Sequence, residues 1–204
     1  MASFSLVISC PIAESIAKPP IVNSDNRDWA AELVHFWFRE LDSTDWYNGS
    51  ARVDDILRER FAGDLTQLAD GDSADFLTDP KTAQAAILLF DQVPRNIHRK
   101  SALAFASDPL ARAITDGVIE RGWLATFAER ERQFVLMPLM HSEQLADQDL
   151  SVALFEQHAP GALPFAQSHR EMIARFGRFP HRNNVLGRET TTEEQAAIDS
   201  GFSW

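Results

Sequence analysis

The chain has one cysteine, Cys10, and one tyrosine among its 204 residues. A lone thiol cannot close an intramolecular disulfide and is ordinary in a reducing compartment, so the fold must hold without cross-links and a cytoplasmic location is the expectation. No stretch approaches the roughly 18 to 20 uninterrupted apolar residues of a membrane helix, so no membrane association is expected. The string FSLVISC at 4–10 lacks both the basic flank and the length of a secretory leader. Positive charge is scarce too: 19 Lys and Arg against 30 Asp and Glu give a formal net charge of −11 and a pI near 4.9. A surface of that sign repels a phosphate backbone, which argues against a nucleic-acid partner. There is no HExxH, no paired CxxC and no nucleotide-binding glycine fingerprint, so neither a metal nor a cofactor is predicted. Runs of alternating β-branched residues are also missing.

What is present is an ordinary globular mixture, 45% hydrophobic and 24% charged, in a chain long enough to bury a substantial core. Residues 1–25, with Pro11, Pro19 and Pro20, read as an irregular N-terminal arm. Residues 26–204 read as one all-helical domain. Apolar residues recur at helical spacing from Asp28 to Leu41 and again from Val53 to Leu68. Asp79-Pro80 and Asp108-Pro109 each set a capping side chain before a proline suited to the first helical position. The spacing predicts that the first of these helices ends near Val93, because Pro94 disfavours helical geometry before it, and that the second stops at Gly122. Three more helices are predicted over Glu129–Met137, Asp147–His158 and Leu163–Arg178, divided by Pro138 and by Pro160-Gly161. Thr191 and Glu194 form a capping box for a last helix ending at Gly201. Short connections favour antiparallel helix pairs in an α/α bundle or short superhelix. The aromatics Trp29, Phe36, Trp37, Phe38 and Trp46 follow helical spacing and read as core, not as a stacking platform.

Five strings in order carry a resemblance: FWFRELDSTDWY at 36–47, ILLFDQVPRNIHR at 87–99, AFASDPLA at 104–111, FVLMPLMHSEQLADQD at 134–149 and RFGRFPHRNNVLGRETTTEE at 175–194. Together they resemble the bacterial domain-of-unknown-function 924 family over roughly Trp29 to Trp204. The resemblance implies an all-helical fold similar to tetratricopeptide repeats. It implies no activity and no catalytic residues.

Against the acidic background, residues 169–188 carry five arginines and two histidines with a single carboxylate, Glu171. A second basic run, Arg95, Arg99 and Lys100, lies in PRNIHRKS. Gathered guanidinium groups hold carboxylate or phosphate oxygens with a planar fork. The candidate ligand-binding residues are therefore Asp91, Arg95, Arg99, His141, Glu143, Arg175, Arg178, Arg182 and Asn183. The helix stripe of His169, Met172, Ile173 and Phe176 puts His169 on an apolar face, where a satisfied core histidine is the commoner outcome. Beside arginines, however, His169 or His181 would stay neutral and suit a general base, with Arg178 and Arg182 clamping an anionic substrate. His141 and Glu143, two residues apart, cannot share a helix face, so a metal pair is disfavoured. His141 is expected to bond inward and Glu143 to accept from an arginine of the island.

Three readings follow: a site for a small anionic ligand, with or without catalysis; a helical module holding an acidic peptide or protein partner; and an internal arginine–carboxylate network. Convergence of the arginines with His141 and His169 on one pocket favours the first. An open basic groove with exposed apolar rows favours the second. Oligomeric state is left open by the sequence.

Overall fold

The computed structural model describes residues 28–201, and every regular element among them is helical. The arm over 1–25 lies outside these residues. Helix α1 (Trp29–His35) starts where the Asp28 carboxylate accepts from the Ala31 amide at 3.0 Å, an N-cap that satisfies one of the four amides a helix start leaves open. It runs on without a break into a π-helical turn, Phe36–Glu40. Three consecutive aromatics, Phe36, Trp37 and Phe38, are all buried in that turn. The Trp37 carbonyl accepts from the indole N–H of Trp46 at 3.0 Å. Trp37, Phe38 and Trp46 meet Phe134 edge to face, with centroids 5.0 to 5.6 Å apart. Trp29 and Trp46 pack half-buried against the same core.

Helices α2 (Ser43–Tyr47) and α3 (Ala51–Leu68) follow. Helix α4 (Pro80–Ile87) opens at Asp79 with Pro80 at its first position, where the missing N–H costs nothing. The helical path does not end at Val93. Leu88–Gln92 forms a second π-turn and the chain continues directly as α5 (Val93–Ile97), with Pro94 in its first turn. The Val93 amide donates to the Leu88 carbonyl across the wide turn, so the ladder is already shifted by one residue where the proline enters. All five π-turn residues are buried, including Asp91 and Gln92.

Helix α6 spans Asp108–Glu120. Ser107, not Asp108, stands at its cap, which frees the Asp108 carboxylate for the arginines described below. Helix α7 (Glu129–Met140) likewise passes the expected stop at Pro138 and continues to Met140. A proline disturbs the carbonyls of the preceding turn, and there the buried Thr115 hydroxyl donates to the Val135 carbonyl at 3.0 Å. Helix α8 (Leu145–His158) packs between α7 and α9 (Leu163–Phe176). Helix α9 stops two residues before the expected Arg178, because Gly177 takes a left-handed φ of 67° as its cap. Helix α10 (Thr192–Asp199) is closed by the Thr191–Glu194 capping box.

The main core draws on α1 and α3 through α9. A small second cluster of Met172, Ile173, Phe179 and Ala197, with Phe176 against it, seats the C-terminal segment on α9. None of the described helices is long and apolar enough to cross a membrane.

Candidate functional site

The second π-turn points Asp91 inward. Its carboxylate is fully buried, 2.7 Å from His141 Nδ1 at the end of α7 and 3.2 Å from the Arg95 guanidinium one turn on. Burial alone would raise the Asp91 pKa; the Arg95 charge and then His141 overcome it and hold the group well below the usual carboxylate range. An ionised carboxylate only accepts, so His141 Nδ1 carries the proton and donates. Arg95 in turn makes a bidentate pair with Asp108 at the start of α6, at 2.8 and 2.9 Å. Arg182 reaches Asp108 from the C-terminal segment at 3.4 Å and donates to the His141 backbone carbonyl at 3.0 Å. Its guanidinium lies between the rings of Phe105 and Phe179, 4.4 and 4.6 Å from their centroids. Arg182 is only 6% exposed, and its Nε has no hydrogen-bond partner. Burial, then repulsion from Arg95, lowers its pKa to about 10.

These groups back onto a cleft of about 750 Å³, within the size range of small-molecule sites. Arg95, Arg99, Lys100 and Arg182 supply its cations; His141, His169 and His181 wall it; Phe105, Ala104 and Val185 supply apolar surface, with Ser101 and Asn184 at the edge. Among the described residues no carboxylate lines it. Asp91 and Asp108, and Asp54, which takes Arg99 at 2.6 Å, are all spent on guanidinium groups from behind. Lys100 has a left-handed φ of 62°, the single non-glycine case of positive φ among the described residues, and such strain gathers at functional sites.

The three histidines are neutral near pH 7. Burial first, then the nearby His141, lowers His169 to about 3. Burial and then Arg182 lower His181 to about 4. His141 is lowered by burial, although Asp91 opposes the shift. His169 Nδ1 donates to the Phe165 carbonyl one turn back at 2.8 Å, and its ring stands 6.1 Å from that of His141.

The sequence-predicted residues thus divide. Arg95, Arg99, His141, Arg182, His169 and His181 line one cleft, with Asp91 directly behind. Glu143 sits across Arg182 from it, in a smaller hollow shared with Asp108 and Arg112, where it accepts from Arg188 at 2.8 and 3.0 Å and from the Phe179 amide at 2.8 Å. Three expectations are corrected. Arg175 lies exposed over the Phe176 ring, because its place on α9 faces away from α7. Arg178 pairs with Glu194 at 2.6 and 3.0 Å, and this pairing, helped by the Thr191 amide, outweighs the opposing effect of burial and keeps that carboxylate down at about 2. Asn183 is buried and turned toward Thr190 and Glu194, so its neighbour Asn184 takes the cleft position. Asp108, Lys100 and Phe105 were not singled out by sequence. Asp108 read as a helix cap, and only the observation that Ser107 occupies that place exposes its other use. Among the described residues no three metal-ligating side chains come together in a way that could hold an ion.

The family model described as a bacterial protein of unknown function (DUF924) matches residues 33–201. The chain belongs to this family. A solved structure of a protein of unknown function from Agrobacterium tumefaciens is 36% identical, with a TM-score of 0.79 over 84% of this chain and 97% of that one. No curated protein matches the chain. The DUF924 match takes in the second π-turn, both basic runs and the whole cleft.

Proposed function

We propose that this DUF924 protein binds a small anionic molecule in the cleft between α5, α7, α9 and the 180–185 segment. The observation that carries the reading is a cleft with four cationic side chains and, among the described residues, no carboxylate on its walls in a chain of net charge −11. Arg182 is the anchor. A guanidinium held between two aromatic rings has lost most of its water, and its unpartnered Nε–H is a donor whose desolvation a bound oxyanion would offset. The apolar half of the lining fits a ligand with a carbon body behind a carboxylate or phosphate group. Neutral imidazoles beside that anion could exchange protons with it, so His169 and His181 keep their candidacy as bases and His141, oriented by Asp91, joins them.

A thermal-shift series with phosphate, sulfate, dicarboxylates and sugar phosphates tests the reading. Near 100 times the dissociation constant a ligand adds about 2.7 kcal/mol, which for a chain of this size raises the melting temperature by about 5 to 10 °C. The shift should vanish in Arg182→Ala. A shift that persists in that variant, or none with any anion in a folded protein, would reject the site.

An acidic peptide or protein partner on a tetratricopeptide-like stack remains the second reading. It needs the arginines in an open groove. Against it stand Arg178 and Arg188, both committed to internal carboxylates.

A further inference from the structure

The cleft combines two features that oppose each other when it is empty. Its walls hold three imidazoles within one constellation: His141 and His169 have ring centres 6.1 Å apart, and His169 and His181 flank the Phe179 ring from 5.5 and 5.6 Å. Facing them are four fixed cations. Arg95 comes from α5, Arg99 and Lys100 from the segment after it, and Arg182 from the segment carrying His181. The nearby carboxylates give little relief, because Asp91 is already shared with Arg95, Asp108 with Arg95 and Arg182, Asp54 with Arg99, and Glu143 with Arg188. A proton added to any of the imidazoles therefore enters a positive enclosure, and an anion added to the same enclosure reverses the sign of that interaction.

We propose that the cleft takes up an oxyanion and protons together, the imidazoles of His141, His169 and His181 becoming protonated beside the bound anion. This rests on the anion-site reading above and adds its regulation: the ligand is held tightly in mildly acidic surroundings and released as pH rises. The geometry gives two of the rings a way to hold the charge. His141 already donates from Nδ1 to Asp91, and an imidazolium there would form a charged pair with a fully buried carboxylate. His169 already donates from Nδ1 to the Phe165 carbonyl. In both rings the proton would be added at Nε2, since Nδ1 is occupied. With the cleft empty, burial and the arginines keep His169 and His181 neutral to about 3 and about 4, so the uptake near pH 6 would come from the ligand's charge. Linkage requires the converse, that protons tighten the anion.

Sulfate is the probe, because it remains a dianion throughout the range and contributes no proton of its own. Its affinity for the full chain is measured by calorimetry from pH 7.5 to 5.5 in two buffers of different ionisation enthalpy. Coupling to one proton tightens binding by about tenfold for each pH unit, and the apparent heat then differs between the buffers by the heat of the protons exchanged. His169→Gln and His181→Gln should each flatten the pH dependence of sulfate affinity, the slope and not the affinity at any single pH being the quantity compared with wild type. His181→Gln, at the less buried position, is the variant to rely on if His169→Gln unfolds. Constant affinity with identical heats in both buffers would overturn the coupling and leave the anion site standing. An undiminished pH slope in the histidine variants would also overturn it. Absence of sulfate binding at every pH would overturn the coupling and the site together.

Discussion

Asp91 shows how much one residue organises here. It is completely buried, it fixes the tautomer of His141, and it balances Arg95, so its removal strands a charge in a dry place. Breaking a buried pair from one side costs about 3 to 5 kcal/mol, and Asp91→Ala should lower the urea-unfolding free energy by an amount of that order. Asp91→Asn keeps the shape and should still destabilise, since an amide neither balances Arg95 nor accepts as strongly from His141. At His169 the consequence concerns pH. The folded protein holds this ring neutral to about 3, whereas the unfolded chain protonates it near 6.5. The unfolded state therefore binds more protons below about 6.5, so this contribution is fully present above that pH and declines as pH falls toward 3. At pH 5 the loss is roughly 2 kcal/mol from His169 alone. Denaturant titrations at pH 7 and 5 should show it in the wild type and not in His169→Gln. Both were visible in the sequence as polar groups near arginines, and the apolar stripe of its helix already pointed to burial of His169; the complete burial of Asp91 was not visible.

At the scale of elements, the second π-turn and Gly177 decide what reaches the cleft. The Leu88–Gln92 turn carries α4 into α5 past Pro94, and it sets the direction from which Asp91, Arg95 and Arg99 project. Sequence periodicity placed α1, α3, α6 and α8 well, because their buried residues repeat at α-helical spacing. It misjudged both prolines for a common reason: proline weakens a helix locally, while a wide turn or a side-chain donor such as Thr115 compensates from elsewhere in the molecule. Gly177 reverses the chain after α9 and sends Phe179 to Arg182 back over α7. Its φ of 67° costs an L-residue about 1 to 2 kcal/mol, so Gly177→Ala should destabilise by about 1 kcal/mol and weaken anion binding by displacing Arg182. Gly63 has a helical setting with open space where a Cβ would stand, and Gly63→Ala is the control: stability should rise by about 0.5 to 1 kcal/mol.

Across the whole molecule, charge is segregated. The acidic majority keeps anions away from most of the surface, and the cleft is where cations outnumber accessible carboxylates. Raising ionic strength with a weakly bound salt such as sodium chloride should therefore slow anion association more than it alters the buried contacts to Arg182. Stopped-flow measurement of the association and dissociation rates separates the two. The structural-network reading and the ligand reading overlap here: Arg178 and Arg188 are paired with internal carboxylates, while Arg95 and Arg182 pair with Asp108 and also line the cleft.

The sequence by itself determined that the chain is helical, where most helices start, that two basic runs stand out from an acidic background, and that five ordered strings mark the family. Each of these depends on neighbours within a few residues, through capping, periodicity or local composition. Only the tertiary structure decided which arginines line the cleft and which turn wholly to a carboxylate. Asp54, Glu143 and Glu194 each take one arginine, and Asp108 takes both Arg95 and Arg182, by proximity across elements, a contest that sequence distance does not register. The same packing turned Arg175 outward, drew Asn183 in, put Asn184 in its place, and brought His141, His169 and His181 around one space.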